Sequence, residues 1–316
     1  MQNDERQLLI DVSVMYYLEG MTQNEIAKKL FLSRPKVSRL LKKARELHIV
    51  DININYESDS LESLKNKIKN RFNVKNIEIV KTLSNYKDTL EEIGKTASKV
   101  LLSEIKEGMT VGISWGNTIR STVSQMKNKK IDNVKIAELF GAFSYDMGDA
   151  DMLSNATTLS SKIGGRLYPL PAPLYIEDPS TREILINNPV IKNSLNMIEN
   201  CDLILTGLGS IDGNFNQPIW DIYVENDMKG KIKENGGIGF LCAHFFDENG
   251  EFLDIDINKN IIGIKTESIK NNKIMLVAGG KKKGKALHAI LKGGYVDTLV
   301  TDEKTIKYVL ELADKH

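Results

Sequence analysis

Two helix starts in close succession, at Thr22 and Ser33, constrain this chain more than any other feature. Thr22 is a good N-cap, and Glu25 three residues on completes a capping box. A helix should therefore begin at Gln23 and bury Ile26, Ala27 and Leu30 on one face. Ser33 caps a second helix, and Pro35 falls in its first turn, where a missing N–H costs nothing. Val37, Leu40, Leu41 and Ala44 recur at helical spacing and give that helix one apolar side. Two short helices, a tight turn and a shared core define a helix-turn-helix.

The opposite side of the second helix says what the unit is for. Between Ser33 and Arg45 every charged residue is basic: Arg34, Lys36, Arg39, Lys42, Lys43 and Arg45. In a helix-turn-helix the first residues of the second helix meet base edges and its flanks meet phosphate. Arg34, Lys36, Ser38 and Arg39 are the expected base-reading group, with Ser33 and Pro35 beside them. Lys42, Lys43 and Arg45 are expected on phosphate, which sets register without reading sequence. Thr22 and Gln23, opening the first helix, complete the expected DNA-binding set. A basic run alone usually means a solvated surface. Here two caps, the turn length and an acid-free face coincide, and duplex DNA is the expected partner.

A further helix over Glu5–Glu19, with Leu8, Leu9, Val12, Met15 and Tyr16 inward and Gly20 ending it, makes a three-helix unit. Ile49–Tyr56 alternates apolar and polar residues, the pattern of a strand with one buried face. That strand is either a wing beside the helices or the exit into a second domain.

The 316 residues suffice for two domains, and a net charge of +1 makes the cationic character local to the first. The domain boundaries read as 1–56 and 57–316. Cys201 and Cys242 lie in apolar runs and are expected as buried free thiols. The sequence has no apolar run of membrane-spanning length and no signal-peptide pattern, so the expectation is a cytoplasmic protein with no membrane partner.

From residue 57 onward, helices at Leu61–Ile68 and Thr89–Ile105 and a strand at Ile77–Val80 lead into alternating strands and helices. These fall at Thr110–Ser114, Ile119–Met126, Val134–Leu139, Leu203–Thr206, Ile238–Phe246, Lys273–Ala278, Lys285–Leu291, Thr298–Val300 and Glu303–Leu312. Apolar strands alternating with amphipathic helices predict an α/β fold, Rossmann-like, with a mainly parallel sheet covered on both faces. Asp178–Pro189, with two prolines, reads as a surface excursion. No Gly-x-Gly-x-x-Gly follows the early strands, so no dinucleotide cofactor is expected.

Ligands of open parallel sheets bind beyond the carboxyl ends of the strands. Three such ends carry unusual chemistry. Gly112-Ile113-Ser114-Trp115-Gly116-Asn117-Thr118 runs straight into a helix, where Gly116 permits close approach and free N–H groups face an anion. Thr206-Gly207-Leu208-Gly209-Ser210 is a second small-residue end. Gly279-Gly280-Lys281-Lys282-Lys283-Gly284-Lys285 is a third, opening the next helix. Each alone is ordinary turn geometry. Together they predict a phosphate-bearing ligand.

The motif Leu-Ser-Arg-Pro-Lys-Val-Ser-Arg-Leu-Leu (32–41) resembles the recognition helix of the SorC family of bacterial sugar-responsive transcriptional regulators. The resemblance continues through Gly-Ile-Ser-Trp-Gly-Asn-Thr (112–118), Leu-Pro-Ala-Pro-Leu (170–174), Gly-Leu-Gly-Ser (207–210), Phe-Phe-Asp-Glu-Asn-Gly (245–250), Ala-Gly-Gly-Lys-Lys-Lys (278–283) and Leu-Val-Thr-Asp-Glu (299–303). It implies an effector domain similar to phosphosugar isomerases that binds a sugar or sugar phosphate without turnover. No metal-ligand spacing is visible, so no metal or cofactor is expected; one helix-turn-helix offers too few contacts for useful specificity, so a homodimer or homotetramer is expected. The implied effector residues are Ser114, Gly116, Asn117, Thr118, Phe140, Gly141, Gly207, Gly209, Phe240, Asp247 and Lys283, with Ser114–Thr118 and Lys283 on the phosphate.

Three positions depart from that pattern. Where relatives often carry Gly in the helix-turn-helix turn, this chain has Phe31; the turn either takes another shape or packs Phe31 inward. Gly239-Phe240-Leu241 stands where many relatives have Gly-Asp-Ile, and Phe140-Gly141-Ala142 where they have Asn-Gly-Gly or, in one deoxyribose-phosphate-responsive member, a Schiff-base lysine. A lost carboxylate and two added rings predict a less polar pocket and non-covalent binding. The rival is a phosphosugar isomerase, which needs a base and acid near the phosphate. His48, His244, His288 and His316 are scattered, and Asp247, Glu248, Asp302 and Glu303 read as turn and cap residues.

Overall fold

The computed structural model describes residues 3–47, 49–50, 60–142, 154–211 and 226–315. The chain divides into two compact units, Met1–Ser58 and Asp59–His316.

In the first unit, α1 (Asn3–Ser13), α2 (Gln23–Lys29) and α3 (Arg34–Glu46) enclose Leu9, Val12, Ile26, Ala27, Val37, Leu40, Leu41 and Ala44. Thr22 and Glu25 form the expected capping box: the Thr22 N–H donates to the Glu25 carboxylate at 2.8 Å, and Thr22 Oγ1 accepts from the Glu25 N–H at 3.4 Å. Ser33 departs from expectation. Its backbone is extended in the N-cap manner, but its hydroxyl makes no cap bond, and Pro35 sits at the second helical position. Its carbonyl instead accepts the N–H groups of Lys36 and Val37, at 2.9 and 3.1 Å.

One more local expectation is corrected, and one open alternative is decided. The first helix is not regular to Glu19: after Ser13 it continues as a π-helical turn, Val14–Leu18, before Gly20 ends it at φ +69°. The wider turn shifts the side-chain register, so Met15 packs on the core while Tyr16 is exposed, edge-on to Tyr17. Phe31 does not pack inward. It takes φ +54° and is 96% exposed. The strand expected over Ile49–Tyr56 lies, past Val50, outside the described residues.

The second unit is built on a seven-stranded sheet in the order β1-β10-β9-β5-β2-β3-β4, every pair parallel. The strands are β1 (Asn76–Val80), β2 (Thr110–Ile113), β3 (Lys135–Glu138), β4 (Arg166–Tyr168), β5 (Leu203–Thr206), β9 (Ile274–Val277) and β10 (Thr298–Asp302). The residues of β5, β9 and β10 are buried throughout, as expected of central parallel strands, and in β10 that burial includes Thr298, Thr301 and Asp302.

Helices cover both faces. On one, α5 (Tyr86–Glu104), α6 (Asn117–Ser124) and α7 (Ser154–Ile163) contribute Ile93, Leu101, Ile119, Val123, Leu159 and Ile163. On the other lie α4 (Leu61–Phe72), α8 (Pro179–Ile186), α9 (Pro189–Glu199), α10 (Asn226–Glu234), α11 (Asp256–Asn260), α12 (Thr266–Asn271), α13 (Gly284–Lys292) and α14 (Glu303–Ala313), whose buried or, in α8, partly buried apolar residues pack with Phe245, Phe246 and their neighbours in the larger core. A small antiparallel sheet, β6 (Gly209–Ser210), β7 (Gly239–Leu241) and β8 (His244–Phe246), stands beside them.

The single strand expected over Ile238–Phe246 is a hairpin. It turns at Cys242 and Ala243, both at positive φ (+48° and +68°), the hand that matches strand twist. The excursion expected over Asp178–Pro189 is instead α8 and the start of α9. Asp178 caps α8 through the Thr181 N–H at 2.8 Å, and Pro179 and Pro189 occupy first-turn positions. Both prolines start helices.

Candidate functional site: a recognition helix and a strand-end anion pocket

The apolar stripe of α3 fixes which side chains are free. Arg34, Pro35, Lys36, Ser38, Arg39, Lys42 and Arg45 are all exposed, as are Thr22 and Ser33, while Gln23 is half-buried. Arg39 leans back on its own helix, its Nε 3.4 Å from the Pro35 carbonyl. Lys42 meets Glu46 one turn on, at 3.7 Å. Lys43 differs from expectation: half-buried, it pairs with Glu5 of α1 at 2.5 Å and holds that carboxyl below the usual glutamate range. It ties α3 to α1.

In the second unit, the carboxyl ends of β2 and β5 meet. Ser114 is buried; its N–H donates to the Leu205 carbonyl at 3.0 Å and its hydroxyl accepts the Gly207 N–H at 3.3 Å. Gly116 follows at φ +127°, ψ 156°, a backbone reserved for glycine, and the space where a Cβ would stand is open. It is the N-cap of α6 and brings no side chain to cap it, so the first N–H groups of α6, from Asn117 on, have no side-chain cap. Thr118 is buried beside it. A Cβ on Gly207 would stand 3.0 Å from the Thr118 hydroxyl, so a larger residue there would press on that hydroxyl. Asn117 accepts from Arg120 at 2.9 Å.

Lys283 closes the single 3-10 turn Lys281–Lys283 after β9. It is half-buried, and burial pushes its ammonium down to about 8. Among the described residues no carboxylate pairs with it. An unpaired, partly desolvated ammonium in a strand-end loop is a strong candidate for an anion partner. Phe140 and Phe240 are buried and both meet Trp115, the residue before Gly116, with centroids at 5.5 and 6.4 Å.

Three expected residues also make packing or turn contacts of their own. A Cβ on Gly209 would fall 2.0 Å from the Phe240 ring, so that glycine exists to seat the ring across β6 and β7. A Cβ on Gly141 would strike the Ala172 and Pro173 carbonyls, at 2.3 and 2.4 Å. Asp247 organises a turn, accepting the Asn249 and Glu251 N–H groups at 2.9 Å, and lines a separate hollow with Lys233, Asn235 and Lys285. Asp302 likewise caps α14 and accepts the Gly280 N–H at 2.8 Å. His244 is buried with Nε2 2.8 Å from the Ile264 carbonyl, and burial pushes it down to about 4. Cys201 and Cys242 are buried thiols pushed up to about 12. His48 and His316 lie outside the described residues.

Two residues at the same edge escaped the sequence reading. Glu138, pairing with Ile113 in register, ends β3 half-buried; burial raises its carboxyl above the usual range, and it accepts from the Leu170 N–H at 3.3 Å. Asn155 near the start of α7 is 3% exposed, with Nδ2 3.5 Å from the Ser114 carbonyl and Oδ1 without a partner among the described residues. A carboxylate inside the apolar run 134–139 was a visible signal for Glu138. Nothing local marked Asn155.

A cationic recognition helix and a parallel α/β unit whose strand ends run into an uncapped helix start define a DNA-binding regulator with a small-molecule domain. Residues 57–311 match the family described as "Putative sugar-binding domain", and residues 4–46 match sigma-70, region 4. The chain belongs to that sugar-binding family, the SorC type of transcriptional regulator. It is 23% identical to the deoxyribonucleoside regulator of Bacillus subtilis (strain 168), over 97% of this chain and 98% of that protein. It is 25% identical to the erythritol catabolism regulatory protein EryD of Brucella abortus (strain 2308), over 98% of each. The fold resembles that of the full-length sorbitol operon regulator SorC from Klebsiella pneumoniae, with a TM-score of 0.73 at 23% identity over 98% of this chain and 100% of that one. The members named are regulators, which sets the isomerase reading aside. Among the described residues no helix is long and apolar enough to cross a membrane.

Proposed function

We propose that this chain represses or activates transcription of a carbohydrate operon in response to a phosphorylated sugar. The single observation behind the effector class is the open, uncapped start of α6 at Gly116, with a half-buried Lys283, unpaired among the described residues, on the loop after β9, two strands along the same sheet edge. Helix N–H groups and a lysine are the usual means of holding a phosphate. Ser114, Asn117, Thr118 and Gly207 complete the cradle. Four or five charge-assisted hydrogen bonds at ~1.5 kcal/mol net each suffice for micromolar affinity, about −8 kcal/mol.

Trp115, Phe140 and Phe240 form the apolar side of the pocket, and Glu138 and Asn155 supply the polar contacts to hydroxyls. Glu138 at this edge offsets the carboxylate missing at Phe240, so the pocket is apolar on one side only. With Phe140 at the position of the Schiff-base lysine, binding is non-covalent. Relatives named for deoxyribonucleosides and for erythritol support a carbohydrate effector.

On the DNA side, Arg34, Lys36, Ser38 and Arg39 read bases, with Ser33 and Pro35 at the groove edge. Thr22, Gln23, Lys42 and Arg45 meet the backbone. One such unit makes few contacts, so the working form is a homodimer or homotetramer whose units meet half-sites about one helical turn, roughly 34 Å, or a multiple apart. Isothermal titration with a panel of sugar phosphates and their unphosphorylated parents tests the effector class. Micromolar binding confined to phosphorylated members is expected; equal binding of the parent sugars would refute it.

A further inference from the structure

Phe31 breaks two rules at once. Its backbone is left-handed, at φ +54°, and its ring is 96% exposed. The conformation itself is explained by the end of α2. The Phe31 N–H donates to the Lys28 carbonyl at 3.4 Å and the Leu32 N–H to the Ala27 carbonyl at 2.9 Å, the paired bonds of a Schellman cap. That cap places the residue after Leu30 in the left-handed region, where glycine or asparagine is unstrained and a ring-bearing residue is not. The fold gains nothing from the ring, which is absent from the core of Leu9, Val12, Ile26, Val37, Leu40 and Leu41 and the side chains packed on it. A strained, solvent-facing aromatic residue points to a role outside the fold.

Its surroundings identify the partner. Phe31 stands between α2 and α3, three residues before Arg34, and Lys28, Lys29, Arg34 and Lys36 are all exposed near it in sequence. The carboxylates closest in sequence are engaged: Glu25 on Thr22, and Glu19 with Lys29 at 3.8 Å. An apolar ring in a cationic frame complements a surface that is anionic with apolar facets. A second copy of the same face would set cation against cation. Duplex DNA has the required chemistry, with deoxyribose edges and thymine methyls beside each phosphate.

We propose that Phe31 is a DNA-contacting residue, its ring lying on the apolar sugar or thymine-methyl surface that flanks the bases read from the start of α3. This rests on the DNA-binding role of the helix-turn-helix and adds an apolar, salt-insensitive component to it.

The test uses the full chain and a duplex that the wild-type protein enriches from a randomised library. Phe31→Gly is expected to weaken that duplex about tenfold. The salt slope should stay unchanged, because no ion pair is lost. The unfolding temperature should not fall, because the cap favours glycine. Phe31→Tyr keeps a ring and should bind within about twofold of wild type. Phe31→Gly binding as tightly as wild type would overturn the proposal. So would a Phe31→Gly protein that loses affinity only because it no longer self-associates in sedimentation. A wild-type chain that enriches no duplex would remove the DNA-binding reading and this proposal with it.

Discussion

Gly207 and Thr118 are held so close, across the junction of β5 and α6, that a Cβ on the glycine would stand 3.0 Å from the threonine hydroxyl. The next nearest atoms, in Ile119 and Val277, are at 3.8 and 3.9 Å, so the crowding is confined to that hydroxyl. Gly207→Ala therefore presses on one wall of the proposed phosphate cradle with little effect on the core. The expected result is about a tenfold loss of sugar-phosphate affinity by calorimetry, with less than ~1.5 kcal/mol lost in denaturant unfolding. Unchanged affinity would separate Gly207 from the ligand.

Lys283 gives a pH signature. Its ammonium titrates at about 8 in the folded protein, below the ordinary lysine value of 10.5, because burial disfavours the charge. With the folded value depressed, the unfolded chain binds more protons between about 8 and 10.5, so this group's contribution to stability rises across that window. Affinity for a phosphate should move the other way, falling as pH rises through about 8 and the cation is lost. Lys283→Met is expected to leave the unliganded protein as stable as wild type or more so, and to abolish phosphate-dependent binding. Titrations at pH 7 and 9 on both proteins check this.

The two helix starts should respond unequally. Thr22→Ala removes a cap whose hydroxyl and N–H both engage Glu25, and should cost about 1 kcal/mol in unfolding of the DNA-binding unit. Ser33→Ala should cost little, because the Ser33 hydroxyl caps nothing. The Thr22 hydrogen bonds also hold the Glu25 carboxyl below its ordinary value of 4.5. The cap's contribution is therefore complete above that pH and lost as pH falls through the depressed folded value. Unfolding monitored at pH 7 and below 4 tests the sign.

Recognition and affinity should separate on α3. Arg34→Ala is expected to relax base preference and cost about 1–3 kcal/mol on a selected duplex. Lys42→Ala should weaken selected and random duplexes alike and shallow the salt slope by about one unit. Equal losses on both duplexes for Arg34→Ala would move that residue to the backbone group.

What the sequence revealed follows from how local each signal is. The capping box at Thr22 and Glu25 and the apolar stripe Val37–Ala44 are set within a few residues, and the structure holds them as expected. The buried strands β5 and β9 were legible as unbroken apolar runs. The β7–β8 hairpin was not, because it turns on Cys242 and Ala243, residues that carry no turn signal. Pro179 and Pro189 misled in another way: each starts a helix, and proline reads equally well as a breaker until the cap before it, Asp178 or Asn188, is weighed. At the site, Gly116 was recognisable from a strand running into a helix. Gly209 and Gly141 were not separable from it, since only tertiary neighbours, the Phe240 ring and the Ala172–Pro173 backbone, assign them to packing. Asn155 lies far along the chain from Ser114 and meets it only in the folded unit.

The most direct test is the affinity of the full chain for its selected duplex, by fluorescence anisotropy, with and without each sugar phosphate. At least one phosphorylated sugar is expected to shift that affinity fivefold or more, about 1 kcal/mol of coupling, and the unphosphorylated parent is not. The same shift must be absent in Lys283→Met. A duplex affinity that no sugar phosphate alters would contradict the account.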